Sequence, residues 1–339
     1  MSGYKPGEQP LVGKLIKLNT NENPYPASAK VMQAIHATTE TSLSRYPDPH
    51  ATAFRHIAGS ILGVDPDWII CGNGSDDLLT MLTRTYVGEG EVLRMPNPSY
   101  TLYRTLAEIQ GAAVEMITFN DDWSLPAGFG AADGDPRLAF LPNPNSPSGT
   151  VVSMNQVAEL ADRLPCPLVV DEAYGDFSDS NCIPLVSDNP KVVVTRSLSK
   201  SYSLAGLRFG FAVAQPDVIE QLAKVKDSYN CDAISIAAAT AAFADQRWLT
   251  DNRQKILVSR ERFSAELAEL GFRVQPSQAN FVWCTHPDHS HQSIHERLKS
   301  AGILIRYMSY DGWGDGIRIT IGTDEQLNAC LGELKTIVG

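Results

Sequence analysis

The 339-residue chain carries 28 Lys and Arg against 39 Asp and Glu, a formal charge of −11, which excludes nucleic acid and acidic membrane as its main partner. With 43% hydrophobic and 20% charged residues it is ordinary globular material, which excludes disorder and leaves room for two domains or one with an appendage. Any small anionic ligand must therefore be met by locally gathered cations.

The six cysteines, at 71, 166, 182, 231, 284 and 330, are scattered with no CxxC pair. This predicts reduced, buried small side chains in a cytoplasmic setting, not a disulfide framework. Residues 1–14 hold no signal-type apolar run, and no stretch approaches the ~20 apolar residues of a membrane helix. A soluble, unprocessed protein with no membrane partner is expected.

The first forty residues, rich in Pro, Asn and Gly, read as an arm and not as core. Short β-branched runs then alternate with longer amphipathic stretches: a strand at 68–71, a helix over 75–86, and strands at 91–95, 113–119, 138–141, 167–170, 191–195 and 209–214. That alternation predicts βαβ units, an α/β fold with a mostly parallel sheet, and ligand chemistry outside the carboxyl ends of the strands. From about Ile234 an alanine-rich segment runs into a long charged helical pattern through Glu269, stopped by Gly271; it reads as a connecting helix with room for one break. Strands near 272–274, 280–284, 303–306 and 316–321, with helices near 293–301 and 323–337, read as a smaller α+β domain. The expected division is 1–38 as arm and part of the small domain, 39–245 as the large domain and 246–339 as the small C-terminal domain.

Two segments imitate known sites. Residues 7–15 resemble a phosphate loop, but the glycine spacing is one residue too long, Leu15 follows Lys14 where Ser or Thr is required, and no strand precedes it. His286, His289, His291 and His295 crowd ten residues, yet no Cys, Asp or Glu nearby in sequence completes a metal site, so a solvated strand-to-helix connection without metal is expected.

Three segments carry chemistry. Between Thr195 and Arg208, hydroxyls crowd around Lys200 directly after an apolar strand. Hydroxyls, an arginine and free backbone N–H groups make an anion cup, and a lysine beside it is able to form an imine with a carbonyl cofactor; a polar loop with a solvated lysine fits this segment equally well. Asp171-Glu172-Ala173-Tyr174 follows another strand, where an aspartate points into the crevice and needs a partner, although a strand-ending turn acid is the commoner case. Cys71-Gly72-Asn73-Gly74-Ser75-Asp76-Asp77 lets backbone approach a ligand and opens a helix whose N–H groups suit a phosphate, though it is no GxGxxG fingerprint.

In combination these motifs resemble the fold-type I aminotransferases of class I/II, which use pyridoxal 5′-phosphate (PLP), most closely the branch acting on histidinol phosphate. The matches run in order through Asn19-Thr20-Asn21-Glu22-Asn23-Pro24, Arg45-Tyr46-Pro47-Asp48, 72–77, Pro96-Asn97-Pro98-Ser99-Tyr100, Leu141-Pro142-Asn143-Pro144-Asn145-Ser146-Pro147-Ser148-Gly149, 171–174, 197–208 and Ile317-Arg318-Ile319-Thr320-Ile321-Gly322. The resemblance implies a mostly parallel PLP-binding large domain and a smaller α+β C-terminal domain. It implies that Lys200 is the Schiff-base lysine and proton carrier, that Asp171 pairs with the pyridine nitrogen, and that Tyr174 hydrogen-bonds the phenolic oxygen of PLP. Tyr100 is implied on the ring face; Arg208, Ser199, Ser197 and the N–H groups of Ser75 and Asp76 on the cofactor phosphate; and Tyr46 reaching that phosphate from the partner subunit of a homodimer. In the family turn an asparagine directly precedes the proline, whereas Ser146 stands there in this chain; the contact to the phenolic oxygen is assigned to Asn145, with Asn143 as the other candidate. For substrate the resemblance implies Arg318 and Arg306 on an anionic group, with Tyr4 and Asn21 in a closing arm. The implied reaction transfers the amino group between histidinol phosphate and 2-oxoglutarate, giving imidazole-acetol phosphate and glutamate. Aromatic amino-acid transamination, threonine-phosphate decarboxylation and a PLP-binding module without turnover are the alternatives.

Overall fold

The computed structural model describes residue 8, residues 15–41 and residues 43–339. Its strands, in chain order, are β1 (Ile16–Lys17), β2 (Ile69–Gly72), β3 (Val92–Asn97), β4 (Ala113–Thr118), β5 (Pro136–Pro142), β6 (Leu168–Asp171), β7 (Val192–Ser197), β8 (Gly210–Val213), β9 (Arg273–Val274), β10 (Phe281–Thr285), β11 (Ile303–Leu304), β12 (Arg306–Tyr310) and β13 (Gly314–Thr320).

Seven of them form one sheet in the order β2-β8-β7-β6-β5-β3-β4. The five from β7 to β4 pair in parallel, while β8 runs antiparallel between β7 and β2. The expected mostly parallel α/β sheet is what forms. Strand residues alternate between two buried clusters: Leu168, Val170, Val192 and Val194 face one, Val169, Val193, Phe140 and Ala212 the other. A parallel sheet is covered by helices on both sides, which is why these strands read as unbroken apolar runs.

The antiparallel strand has a consequence for the site. Its start at Gly210 lies opposite Ser197 and Gly72, so the residues just before β8 meet the carboxyl ends of β5, β6 and β7 along one rim.

A second core gathers Leu18, Phe263, Phe281's neighbour Val282, Ile317, Ile319 and Leu334, around the four-stranded sheet β12-β13-β10-β9. The connecting helix is two helices, Ala233–Phe243 and Gln246–Glu269, so the single break occurs. The first forty residues are not purely an arm. β1 pairs in parallel with β11, and Ala29–Thr41 is a helix whose Val31 is fully buried. Sequence reading missed that helix because its apolar stripe is narrow and Pro and Asn crowd its approach. It is anchored from outside: Ser28 and Lys30 both bond Asp245, at the break between the two long helices.

All six cysteines are buried and free. Among the described residues no helix is long and apolar enough to cross a membrane, and no three His, Cys, Asp or Glu side chains are placed to hold a metal ion. The histidine segment connects β10 to the helix His291–Ser300 with Pro287, Asp288 and Ser290 exposed, as a solvated connection requires, while His286 at its start is buried. The His286 N–H donates to His291 Nε2 (2.8 Å), and His291 Nδ1 meets Asp315 Oδ1 (2.9 Å), so this segment ties β10 to the β12–β13 hairpin.

Candidate active site

One cavity opens at the rim where the strands end. Its walls carry Lys200, Asp171, Tyr174, Ser75, Asp76, Tyr100, Ser197, Ser199, Arg208, Arg306 and Arg318, residues drawn from seven separate chain segments. Among the described residues, four basic side chains, Lys200, Arg208, Arg306 and Arg318, thus face one space.

Lys200 sits in the loop between β7 and β8, whose base is closed by the Leu198 N–H to Phe209 O bond (3.0 Å). Its Nζ donates to the Thr20 carbonyl at 2.9 Å and lies 5.9 Å from the Tyr174 ring centre. Burial pushes the amine pKa down to about 8, helped by the Arg318 and Arg208 charges and opposed by Glu22 and Asp76. A lysine lowered to about 8 gives up its proton more readily than a solvated one, which suits a nucleophile and proton carrier.

Asp171 ends β6 and is buried. Its Oδ2 accepts from the Tyr103 hydroxyl at 2.7 Å; its Oδ1 accepts from the Thr195 hydroxyl and the Ala173 N–H, both at 3.2 Å. Desolvation raises its pKa to about 6 despite these donors, and Asp76 adds to the rise. Among the described residues no cation lies within 4.0 Å of this carboxylate, so a buried anion faces the cavity without a counter-charge, a costly arrangement that a cationic ligand group relieves.

The anion cup lies beside it. The helix Ser75–Tyr86 begins at Gly74 with no side-chain cap, leaving its first N–H groups to the cavity rim. Arg208 donates to Ser199 Oγ and to Asp76 Oδ2, each at 3.2 Å. Its backbone is left-handed (φ 51°), a strained state for a long side chain that is held at functional positions. Gly74 also has positive φ (80°), and a Cβ there would stand 2.7 Å from an Arg208 guanidinium nitrogen.

Across the cavity, Arg306 on β12 and Arg318 on β13 are direct cross-strand partners. Like charges placed opposite one another repel, and an anion between them removes that penalty. Arg318 donates to Ser146 Oγ (2.8 Å) and Asn19 O (3.1 Å), its Nε is buried without a partner among the described residues, and its guanidinium carbon lies 5.2 Å from the Phe281 ring centre.

The family model for aminotransferase class I and II matches residues 13–334. The chain belongs to this family. It is an aminotransferase, similar to proteins named histidinol-phosphate aminotransferase from Rhodopirellula baltica (60% identical, covering 98% of this chain and 92% of that one) and Geobacter sulfurreducens (47%, covering 99% and 97%). Among solved structures it resembles histidinol-phosphate aminotransferase from Sinorhizobium meliloti, described in complex with pyridoxal-5′-phosphate, with TM-score 0.89 and 28% identity over 95% of this chain and 90% of that one.

Within this aminotransferase most expected site residues converge, and the exceptions are informative. Asn145 is buried but does not line the cavity: its amide donates to Pro98 O (3.3 Å) and Ser148 Oγ (2.9 Å). Asn143 is likewise engaged with Val152. Ser146, directly before Pro147, is the turn residue whose hydroxyl lines the cavity, while the Asn145 Oδ1 is buried with no hydrogen-bond partner among the described residues. Asn21 is not a cavity wall residue; it holds Tyr174, donating to the phenol oxygen at 2.9 Å, and is itself fixed by Thr320 and Asn280. Tyr46 stands outside the cavity, 80% exposed and stacked on Tyr229 with ring centres 4.3 Å apart. Tyr4 and most of the phosphate-loop-like segment at 7–15 lie outside the described residues. Sequence reading missed Thr20, Met308 and Tyr103. The only available signal for Tyr103 was its position three residues after Tyr100, one helical turn on.

Gly74→Ala is expected to weaken cofactor uptake at least tenfold with a small loss of stability, because the new methyl displaces Arg208 and forces a left-handed alanine. Equilibrium titration of the cofactor-free protein measures this.

Proposed function

We propose that the chain transfers the amino group between histidinol phosphate and 2-oxoglutarate in histidine biosynthesis, as a PLP-dependent cytoplasmic homodimer. The observation that carries the substrate reading is the adjacent pair Arg306 and Arg318 on the cavity wall facing Lys200: two guanidiniums suit a dianionic phosphate better than a single carboxylate.

The residues present fit the cofactor. The buried Asp171, with no cation beside it among the described residues, suits a protonated ring nitrogen, the uncapped helix start with Arg208 and Ser199 suits a phosphate, and Lys200 lines the same cavity. Tyr100 offers an aromatic face, while Tyr174 and Ser146 offer hydroxyls to a phenolic oxygen. When bound, PLP supplies the electron sink and amino-group carrier that no side chain provides. The protein's part is to hold a proton on the ring nitrogen through Asp171, move a proton at the substrate's amino-bearing carbon through Lys200 Nζ, and clamp the substrate phosphate with Arg306 and Arg318. Segment 39–245 serves as the cofactor-binding unit, with 1–38 and 246–339 placing the substrate clamp. Glutamate serves as the amino donor in the biosynthetic direction, its carboxylate taken by Arg318.

The homodimer reading rests on Tyr46, whose exposed ring, with Leu43 also exposed nearby in sequence, does not line the cavity formed by the described residues of its own chain. The free, buried cysteines support a reducing compartment.

The test offers histidinol phosphate, phenylalanine, tyrosine and threonine phosphate to the loaded enzyme and follows the cofactor's visible absorbance. Histidinol phosphate is expected to react with the highest kcat/KM. Arg306→Ala and Arg318→Ala each lower that value by roughly ten- to a hundredfold, as loss of a charge-assisted hydrogen bond predicts, with a smaller effect of Arg306→Ala on phenylalanine. Equal losses on both substrates would remove the phosphate reading.

A further inference from the structure

Tyr103 has no part in the chemistry described above, yet it makes the shortest hydrogen bond to the buried catalytic carboxylate. It lies on the helix Leu102–Gln110 and is completely buried. Its ring stacks on Phe140 (centres 4.7 Å apart) and meets Tyr100 edge-on (5.5 Å). Those contacts are made by the ring and need no hydroxyl, so a phenylalanine would fill the space equally well. The hydroxyl serves one partner, Asp171 Oδ2, at 2.7 Å. Burying a phenol against a desolvated carboxylate costs free energy that packing does not require.

We propose that Tyr103 is a positioning residue of the active centre: by donating to Asp171 Oδ2 it keeps that carboxylate ionised, so that the proton shared with the cofactor ring nitrogen resides on the nitrogen and not on Asp171. The inference rests on the PLP reading above. The other two donors to Asp171, the Thr195 hydroxyl and the Ala173 N–H, both at 3.2 Å, serve Oδ1, so Oδ2 has no second protein donor among the described residues. Removing the Tyr103 hydroxyl therefore raises the proton affinity of Asp171, and the shared proton moves from the ring nitrogen toward the carboxylate. No bond other than the N–H···O pair changes, and no proton is gained or lost. The remaining titratable groups bearing on this pair are Asp76, Tyr100 and Tyr174, and all three stay in place in the substitution. Burial and the Asp171 charge hold the Tyr103 phenol well above its ordinary pKa, so it acts as a donor throughout the working range.

The experiment loads wild type and Tyr103→Phe with PLP labelled with 15N at the ring nitrogen and follows that nitrogen by NMR across pH, alongside Tm, kcat and KM. The expected result is a ring-nitrogen titration midpoint at least one unit lower in Tyr103→Phe, equivalent to a tenfold loss of proton affinity. kcat falls by roughly ten- to a hundredfold, while KM stays within about threefold and the ring's packing preserves Tm to within a few degrees. A purely structural tyrosine would lower Tm and leave the midpoint unchanged, and an unchanged midpoint in a folded, loaded protein overturns the proposal alone. Failure of the wild type to take up PLP overturns the cofactor reading and this inference together. If Tyr103→Phe does not fold, 3-fluorotyrosine incorporated at position 103 keeps ring and hydroxyl while donating more strongly. The midpoint must then rise, and no movement is again a refutation.

Discussion

Lys200→Met is expected to lower kcat by about four orders of magnitude or more, since it removes the proposed covalent attachment point and proton carrier, and at the same time to stabilise the cofactor-free protein. The second effect follows from the depressed amine pKa, about 8 against an ordinary 10.5, caused first by burial and then by Arg318 and Arg208. A base whose folded pKa lies below its unfolded value carries its charge at a cost in the fold. That cost is complete below pH 8, shrinks as pH rises from 8 to 10.5, and vanishes above. Its upper bound is roughly 3 kcal/mol, reduced by the bond from Lys200 to the Thr20 carbonyl, which methionine cannot make. Chemical denaturation of cofactor-free wild type and Lys200→Met is expected to show the variant more stable by about 1–3 kcal/mol at pH 7, with the gap closing by pH 10.5. A variant less stable at pH 7 would mean that Lys200 is not held as a desolvated cation.

Asp171→Asn is expected to cost about two to four orders of magnitude in kcat and to weaken cofactor affinity roughly ten- to a hundredfold. An amide has the same shape but no charge to hold a proton on a ring nitrogen. Without cofactor the same substitution removes a pH dependence. The Asp171 pKa is raised by burial from 3.8 to about 6, so the carboxyl is favoured in its protonated form. Through this group the wild type is most stable below pH 4 and loses up to about 3 kcal/mol as pH climbs from 4 to 6. The asparagine variant lacks that loss, and denaturation curves at pH 4.5 and 7 reveal it. Equal pH dependence in both proteins would contradict the buried, unpaired carboxylate.

Most of the sheet was legible in the sequence because a parallel strand buried on both faces must be apolar along its length. The runs ending at Met95, Leu141, Val170 and Thr195 match β3, β5, β6 and β7 to within a few residues. The helix at 75–86 was legible from its acidic first turn and periodic leucines. The helix Ala29–Thr41 was not, because it is held by distant partners: Asp245, and the helix Ala233–Phe243 packed against it. The turn at 143–149 shows a finer limit. Its residue types announced a site, but only the folded turn decides that Ser146 faces the cavity while Asn145 bonds Pro98 O.

The amino-acid sequence by itself determined the α/β class and the strand ends, and pointed to Lys200, Asp171, Tyr174 and Arg208, which line one cavity, because local pattern and motif order carry that information. Tertiary structure alone decided which of the 28 cations meet. Arg208 reaches the rim because β8 runs antiparallel, and Arg306 faces Arg318 because a hairpin sets them in register. It alone placed Tyr103 on Asp171, 68 residues apart in sequence. A net charge of −11 is a sum over the chain, whereas an anion site is a matter of a few ångströms. Coulomb energy depends on distance and local dielectric, and both are properties of the fold.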